Sequence, residues 1–237
     1  MPKNKRNLFS DFDDSLKERV TKKIIWKKII FIAYEGVETE PKYFKHIAKY
    51  IKDNSEFNIN LFPIDREKSD GKSHPKHVKA VLEEYFERKI KNNFSKNDEY
   101  WIVIDKDRHF RNEKAYKEFL NDLYINKGKK NELEIKAAVS NPSFEIWLIL
   151  HYKNLEELEL DKIKENKKVN SKKTYIKDYL KKILIHQISW DKNDYNTCLK
   201  LIQKAIKNAE NPILAQSNEE MYNEIGTTIK EIMKKLF

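Results

Sequence analysis

A single cysteine, Cys198, occurs in 237 residues. That excludes an internal disulfide framework and a zinc site built on thiolates, and it suits a reducing compartment. Cys198 shares a helical face with Leu201, Ile202, Ala205 and Ala209, the setting of a small core residue. No uninterrupted apolar run is long enough to span a bilayer, and the opening MPKNKRNLFSDFDD has no apolar signal core. The expectation is a soluble, cytoplasmic protein without a membrane partner. Glycine is scarce, four residues in all, and neither G-x-G-x-x-G nor a phosphate-binding G-x-x-x-x-G-K-[ST] loop occurs. The Gly-Lys-Ser at 71–73 lacks the upstream glycine and runs into His74 and Pro75, so ATP hydrolysis by this chain alone is not expected.

Charge is plentiful instead. Charged residues make up 36% and hydrophobic ones 39%, which describes a folded globule with a heavily charged surface. The formal net charge of +10 suits a polyanion, because lysines that neutralise phosphates release counterions. Only six basic residues are arginine, and a lysine-rich, glycine-poor composition also follows from an AT-rich genome. The charge therefore supports nucleic-acid binding without establishing it.

Residues 1–22 carry little periodic apolar signal and read as a mobile or loosely docked arm. From Ile24 to Tyr34 the chain reads as a strand. Thr39 then offers an N-cap, Pro41 fits a first helical turn, and Tyr43, Phe44, Ile47, Ala48 and Ile51 recur at helical spacing. Phe57, Ile59 and Leu61 alternate up to Pro63 as a half-buried strand near a sheet edge. Val78, Val81, Leu82, Tyr85, Phe86 and Ile90 make a second helix. Tyr100–Ile104 is a continuous apolar run, the mark of a strand covered on both faces. A third helix over Ala115–Leu123, a strand over Leu133–Val139 and a buried helix over Phe144–Tyr152 complete an α/β core with a largely parallel sheet, residues 23–152. Beyond it the apolar spacing reads as helical throughout, predicting an all-helical extension over 153–237, with boundaries near Asp191–Tyr195 and Asn211–Pro212.

Two of these strands end in acids. IIFIAYEG ends in Glu35 and YWIVIDKD in Asp105 and Asp107. Parallel strands bring their carboxyl ends to one edge, where ligands of such sheets bind. Asp105 and Asp107 are two apart and share one face of an extended chain. Three hard oxygen donors suit magnesium or manganese, which also hold substrate phosphates. A DxD alone is weak, since such aspartates commonly cap helices or solvate loops, but paired with a second strand-end acid it favours a site. Glu38 and Glu40 read as first-turn charges that favour a helix N-terminus. Glu145, in an apolar helix, is either a buried partner to a lysine or a further metal acid. His109, Arg108 and Arg111 lie where they could meet phosphate or simply form a solvated loop. Lys172, Lys173 and Tyr175 could touch a nucleic-acid backbone and stack on a base, or form a solvated face. His151 reads as a satisfied core or surface histidine.

Glu35, Gly36, Thr39, Glu40, Tyr43 and Phe44, the strand WIVIDKD and the stretch SNPSFEIWLILHY together resemble the RloB family, over about residues 24–237. The resemblance implies a Toprim-like core with a metal centre, Glu35 as general base or acid, and Asp105 and Asp107 as metal ligands. Gly36 would bring the backbone close to phosphates. It also implies a role in bacterial phage defence or abortive infection, often beside a partner ATPase. The expected activity is magnesium- or manganese-dependent cleavage of DNA or RNA; homo-oligomerisation is left open. The competing expectation is a catalytically silent regulatory module that binds nucleic acid or an ATPase. An aspartyl-phosphate receiver is less favoured, because no Thr and Lys pair can be assigned to it by spacing.

Overall fold

The computed structural model describes residues 28–53, 58–65, 74–91, 95–106, 109–129, 132–171, 173–185 and 195–237. The expected arm over 1–22, the strand start at Ile24, Asp107, Arg108, Lys172 and the boundary from Asp191 lie outside them. Strand β1, Lys28–Tyr34, and β3, Glu99–Asp105, are buried on both faces. Even-numbered β1 residues Ile30, Ile32 and Tyr34 join Trp101 and Val103 in one core cluster. Odd-numbered Ile29, Phe31 and Ala33 join Tyr100, Ile102 and Ile104 in the other. Their near-continuous apolar runs thus serve two cores at once, as expected for central parallel strands.

The remaining strands take up the flanks. The sheet order is β2-β1-β3-β5-β4, with β2 at Ile59–Ile64, β4 at Tyr124–Ile125 and β5 at Leu133–Asn141. The pairs β1–β2, β1–β3 and β3–β5 are parallel. Pro63, with no N–H to donate, is tolerated because β2 is an edge strand. Helix α1, Thr39–Asp53, puts Tyr43, Phe44, Ile47 and Ile51 into the first cluster. Helix α2, Pro75–Tyr85, starts with His74 Nδ1 accepting the Lys76 N–H and Pro75 in the first turn, and runs into a π-helical turn at Phe86–Ile90. Helix α3 spans Glu113–Asn121, and α4 spans Glu145–Leu150, every residue of which is buried.

The all-helical extension is corrected in part. Helices α5, Leu160–Glu165, α6, Tyr175–Ile185, α7, Tyr195–Ala209, and α8, Lys230–Leu236, are present. A short hairpin, β6 at Lys168–Asn170 and β7 at Lys173–Thr174, separates α5 from α6. The stretch from Met221 to Met233, expected as one helix, is a turn, then β8 at Gly226–Thr227, then α8. Strand β8 pairs antiparallel with β5, Asn141 facing Gly226, and Thr228 Oγ1 accepts the Val139 N–H at 2.8 Å. The helical spacing of the isoleucines was outweighed by Gly226, a poor helix former whose missing side chain admits another backbone. Ile202, Ala205, Ile229 and Ile232 belong to the same cluster as Ile30 and Trp147, so the C-terminal helices share the core of the sheet.

A Cβ at Gly226 would lie 2.9 Å from both the N and O of Ala215. Backbone cannot yield as a side-chain tip can. Gly226→Ala should therefore cost about 1–3 kcal/mol and lower the melting temperature by roughly 3–10 °C. An unchanged melting curve would show that β8 does not hold the C-terminal segment in place.

Candidate acidic site

Tyr34 pairs with Val103, and the Glu35 N–H extends that ladder by donating to the Val103 carbonyl at 3.0 Å. The Glu35 side chain then lies along the carboxyl edge. Its Oε2 accepts the Asp105 N–H at 3.1 Å, and its Oε1 is 2.7 Å from His109 Nε2. Asp105, the last residue of β3, accepts the Phe144 N–H at 2.8 Å on Oδ1, which ties it to the start of α4. Glu145 follows at once, accepting the Ser143 hydroxyl at 2.6 Å, with Lys177 of α6 3.7 Å away. Glu145 thus has the lysine partner of the first alternative, and it lies on a helix beside the strand-end acids.

Among the described residues, a further carboxylate joins the group. Glu40, in the first turn of α1, turns back to accept the Gly36 N–H at 3.1 Å and is 7% exposed, as buried as Glu35. A Cβ at Gly36 would lie 1.9 Å from Glu40 Oε2, so the glycine makes room for the acid. Burial, then the carboxylates of Glu40, Glu35 and Glu145, push the Asp105 carboxyl well above the usual range. Burial likewise raises Glu40, with Glu145 adding to it. Asp105 at the end of β3 therefore acts with Glu35 just after β1, Glu40 of α1 and Glu145 of α4 at the carboxyl edge of the sheet.

His109, expected near phosphate or solvent, is instead the hydrogen-bond partner of Glu35. The His74 ring packs edge-on against it, centroids 5.5 Å apart, and burial followed by His109 lowers the His74 pKa. Arg111 is exposed in the bend beyond. Lys173 lies in the β6–β7 hairpin. The Tyr175 hydroxyl donates to Glu159 at 3.2 Å and its ring stacks on Tyr179. His151 is a core residue, fully buried, with Nδ1 donating to the Trp147 carbonyl at 2.8 Å; burial lowers its pKa to about 4.

A groove of about 440 Å³ continues from Glu145 and is lined also by Thr39, Lys177, Leu180, Lys181 and Leu184. Lys173 and Tyr175 do not line it. Residues two apart on a helix point roughly 200° apart, so Tyr175 and Lys177 face opposite ways. Sequence reasoning missed Glu40, Lys177 and Lys181. The signal for Glu40 was available: 40, 43, 44, 47 and 51 form one helical stripe, and Glu40 is its single charge. It also missed that β2 ends in an acid, Asp65, but the Tyr34 hydroxyl and the Lys45 ammonium both bind that carboxylate.

All of the crevice donors are carboxylate oxygens, and their mutual repulsion is the kind that a hard divalent cation relieves, so the donor chemistry fits magnesium or manganese. Among the described residues, no three His, Cys, Asp or Glu side chains are already arranged around a metal position.

The fold and the site define an α/β protein with an acidic crevice at the carboxyl ends of a mostly parallel sheet. The chain belongs to the RloB-like protein family, whose model matches residues 30–236. No curated protein and no solved structure matches it significantly. Among the described residues, no helix is long and apolar enough to cross a membrane.

Proposed function

We propose that this protein is a magnesium- or manganese-dependent nuclease of Toprim type that hydrolyses phosphodiester bonds of DNA or RNA. The observation that carries this reading is the grouping of Glu35, Glu40, Asp105 and Glu145 at the carboxyl edge of the sheet, where burial first and then the other three carboxylates raise Asp105. Bound among them, the divalent ion would neutralise that charge and polarise a phosphoryl oxygen. Glu35 takes the proton from the attacking water, and His109 holds the Glu35 carboxylate in position through its hydrogen bond. Asp105 and Glu40 are held by backbone N–H groups of Phe144 and Gly36, which fixes their oxygens before any ligand enters. The reading extends to a cytoplasmic role in bacterial anti-phage defence beside a partner ATPase, in keeping with the family.

A catalytically silent regulatory module is the rival. It draws on Lys177, which already stands as a counter-ion beside Glu145. Cleavage of labelled single- and double-stranded DNA and RNA, with magnesium or manganese and with EDTA, separates the two. Glu35→Gln should reduce metal-dependent cleavage by about 10²–10⁴-fold. Full activity in that variant and in Asp105→Asn would overturn the nuclease reading.

A further inference from the structure

We propose that the groove beside Glu145 is a seat for an unpaired nucleic-acid strand, with Lys177 and Lys181 on its phosphates and Leu184 against a base. The proposal deepens the nuclease reading by naming its substrate class, and it rests on that reading for its consequence. Lys177, Leu180, Lys181 and Leu184 follow one another at spacings of three, one and three along α6, so they form a single stripe. That stripe faces the groove. Its cations stand across from Glu145, so a phosphate entering the groove is drawn to the α6 side and repelled from the acid.

Leu184 chooses between strands. It is a large apolar side chain left 36% exposed beside the two lysines, whereas Leu180 on the same stripe is buried in the core. A duplex displays phosphates outward and keeps its base faces stacked inside, so it would meet the lysines and leave Leu184 bare. An unpaired strand offers backbone and base face together. The volume of about 440 Å³ suits one or two nucleotides, at the lower end of sites that enclose small molecules. Lys177 reaches Glu145 at 3.7 Å, yet its own side chain is 53% exposed while Glu145's is 11%, so its ammonium faces the groove as well as the acid.

Fluorescence anisotropy tests this with the full chain in EDTA, where binding is read without cleavage. The probes are a labelled twelve-nucleotide DNA, its RNA counterpart and the corresponding duplexes. Single strands should bind about tenfold more tightly than duplexes, the worth of one base contact. Lys181→Gln should weaken single-strand binding several-fold and reduce the slope of log affinity against log salt by about 0.7. Leu184→Ser should weaken it with the slope unchanged. The DNA and RNA arms tell which sugar is preferred. Duplex binding as tight as single-strand binding, parent-like binding by both variants, or no binding would each overturn the proposal. If the binding pattern holds while no metal-dependent cleavage is found, the nuclease reading falls and the groove stands. Cleavage with unaltered binding in both variants gives the reverse.

Discussion

Asp105→Asn protein should be inactive and, in metal-free buffer, more stable than its parent. Activity falls because the substitution removes a charged oxygen from the crevice. Stability rises because that charge is unfavourable where it sits: burial and the carboxylates of Glu40, Glu35 and Glu145 raise its pKa in the folded chain. A carboxyl with a raised folded pKa binds its proton more tightly folded than unfolded. Its contribution to stability is therefore present below the unfolded pKa and is lost as pH rises toward the folded one. At neutral pH the parent carries this cost and the asparagine does not. Asparagine keeps an oxygen for the Phe144 N–H, so the tie to α4 survives. In a chain of this size each kcal/mol recovered raises the melting temperature by roughly 2–4 °C. Thermal unfolding from pH 4 to pH 8 in EDTA should show the parent losing stability relative to the variant as pH rises. Added manganese should then stabilise the parent and leave the variant unmoved. Parallel pH profiles for the two proteins would show that neither burial nor its neighbours raises the Asp105 pKa in the folded chain.

Trp147→Ala should produce the largest loss of stability of any change considered. Trp147 is fully buried at the centre of α4, in the cluster that joins β1, α1, α7 and α8, and its ring meets the edge of His151 at 4.9 Å. Removing a buried indole costs about 3–5 kcal/mol, which corresponds to roughly 6–20 °C in melting temperature here. Because α4 also presents the Phe144 N–H to Asp105 and carries Glu145, loosening it should disturb the crevice as well. Trp147→Phe, which refills most of the volume, should recover much of the loss. Urea titration of the three proteins measures this; an unfolding free energy for Trp147→Ala within about 1 kcal/mol of the parent would show that α4 is not packed as described.

The central strands were legible in sequence because burial on both faces leaves a run that needs no partner to be recognised, as at Tyr100–Ile104. Glu35 and Asp105 were legible for the same reason, each being the first acid after such a run. Other features were less so. Strand β8 was hidden because its two residues, Gly226 and Thr227, have meaning only against Asn141 and Ser140 more than eighty positions earlier. The packing of Glu40 over Gly36 was not legible, since nothing local says that the Glu40 carboxylate folds back over it.

By itself the sequence determined the alternation of strands and helices, the edge position of β2 and the two strand-end acids, all of which follow from side-chain periodicity and burial within a short window. Only the tertiary structure decided that Glu40 and Glu145 join Glu35 and Asp105, that Asp65 is satisfied by Tyr34 and Lys45, and that Lys177 and Lys181 line the groove beside Glu145. Those outcomes depend on the register between distant strands and on how each helix is rotated against the sheet. Both are set by packing of the whole core, which no local pattern encodes.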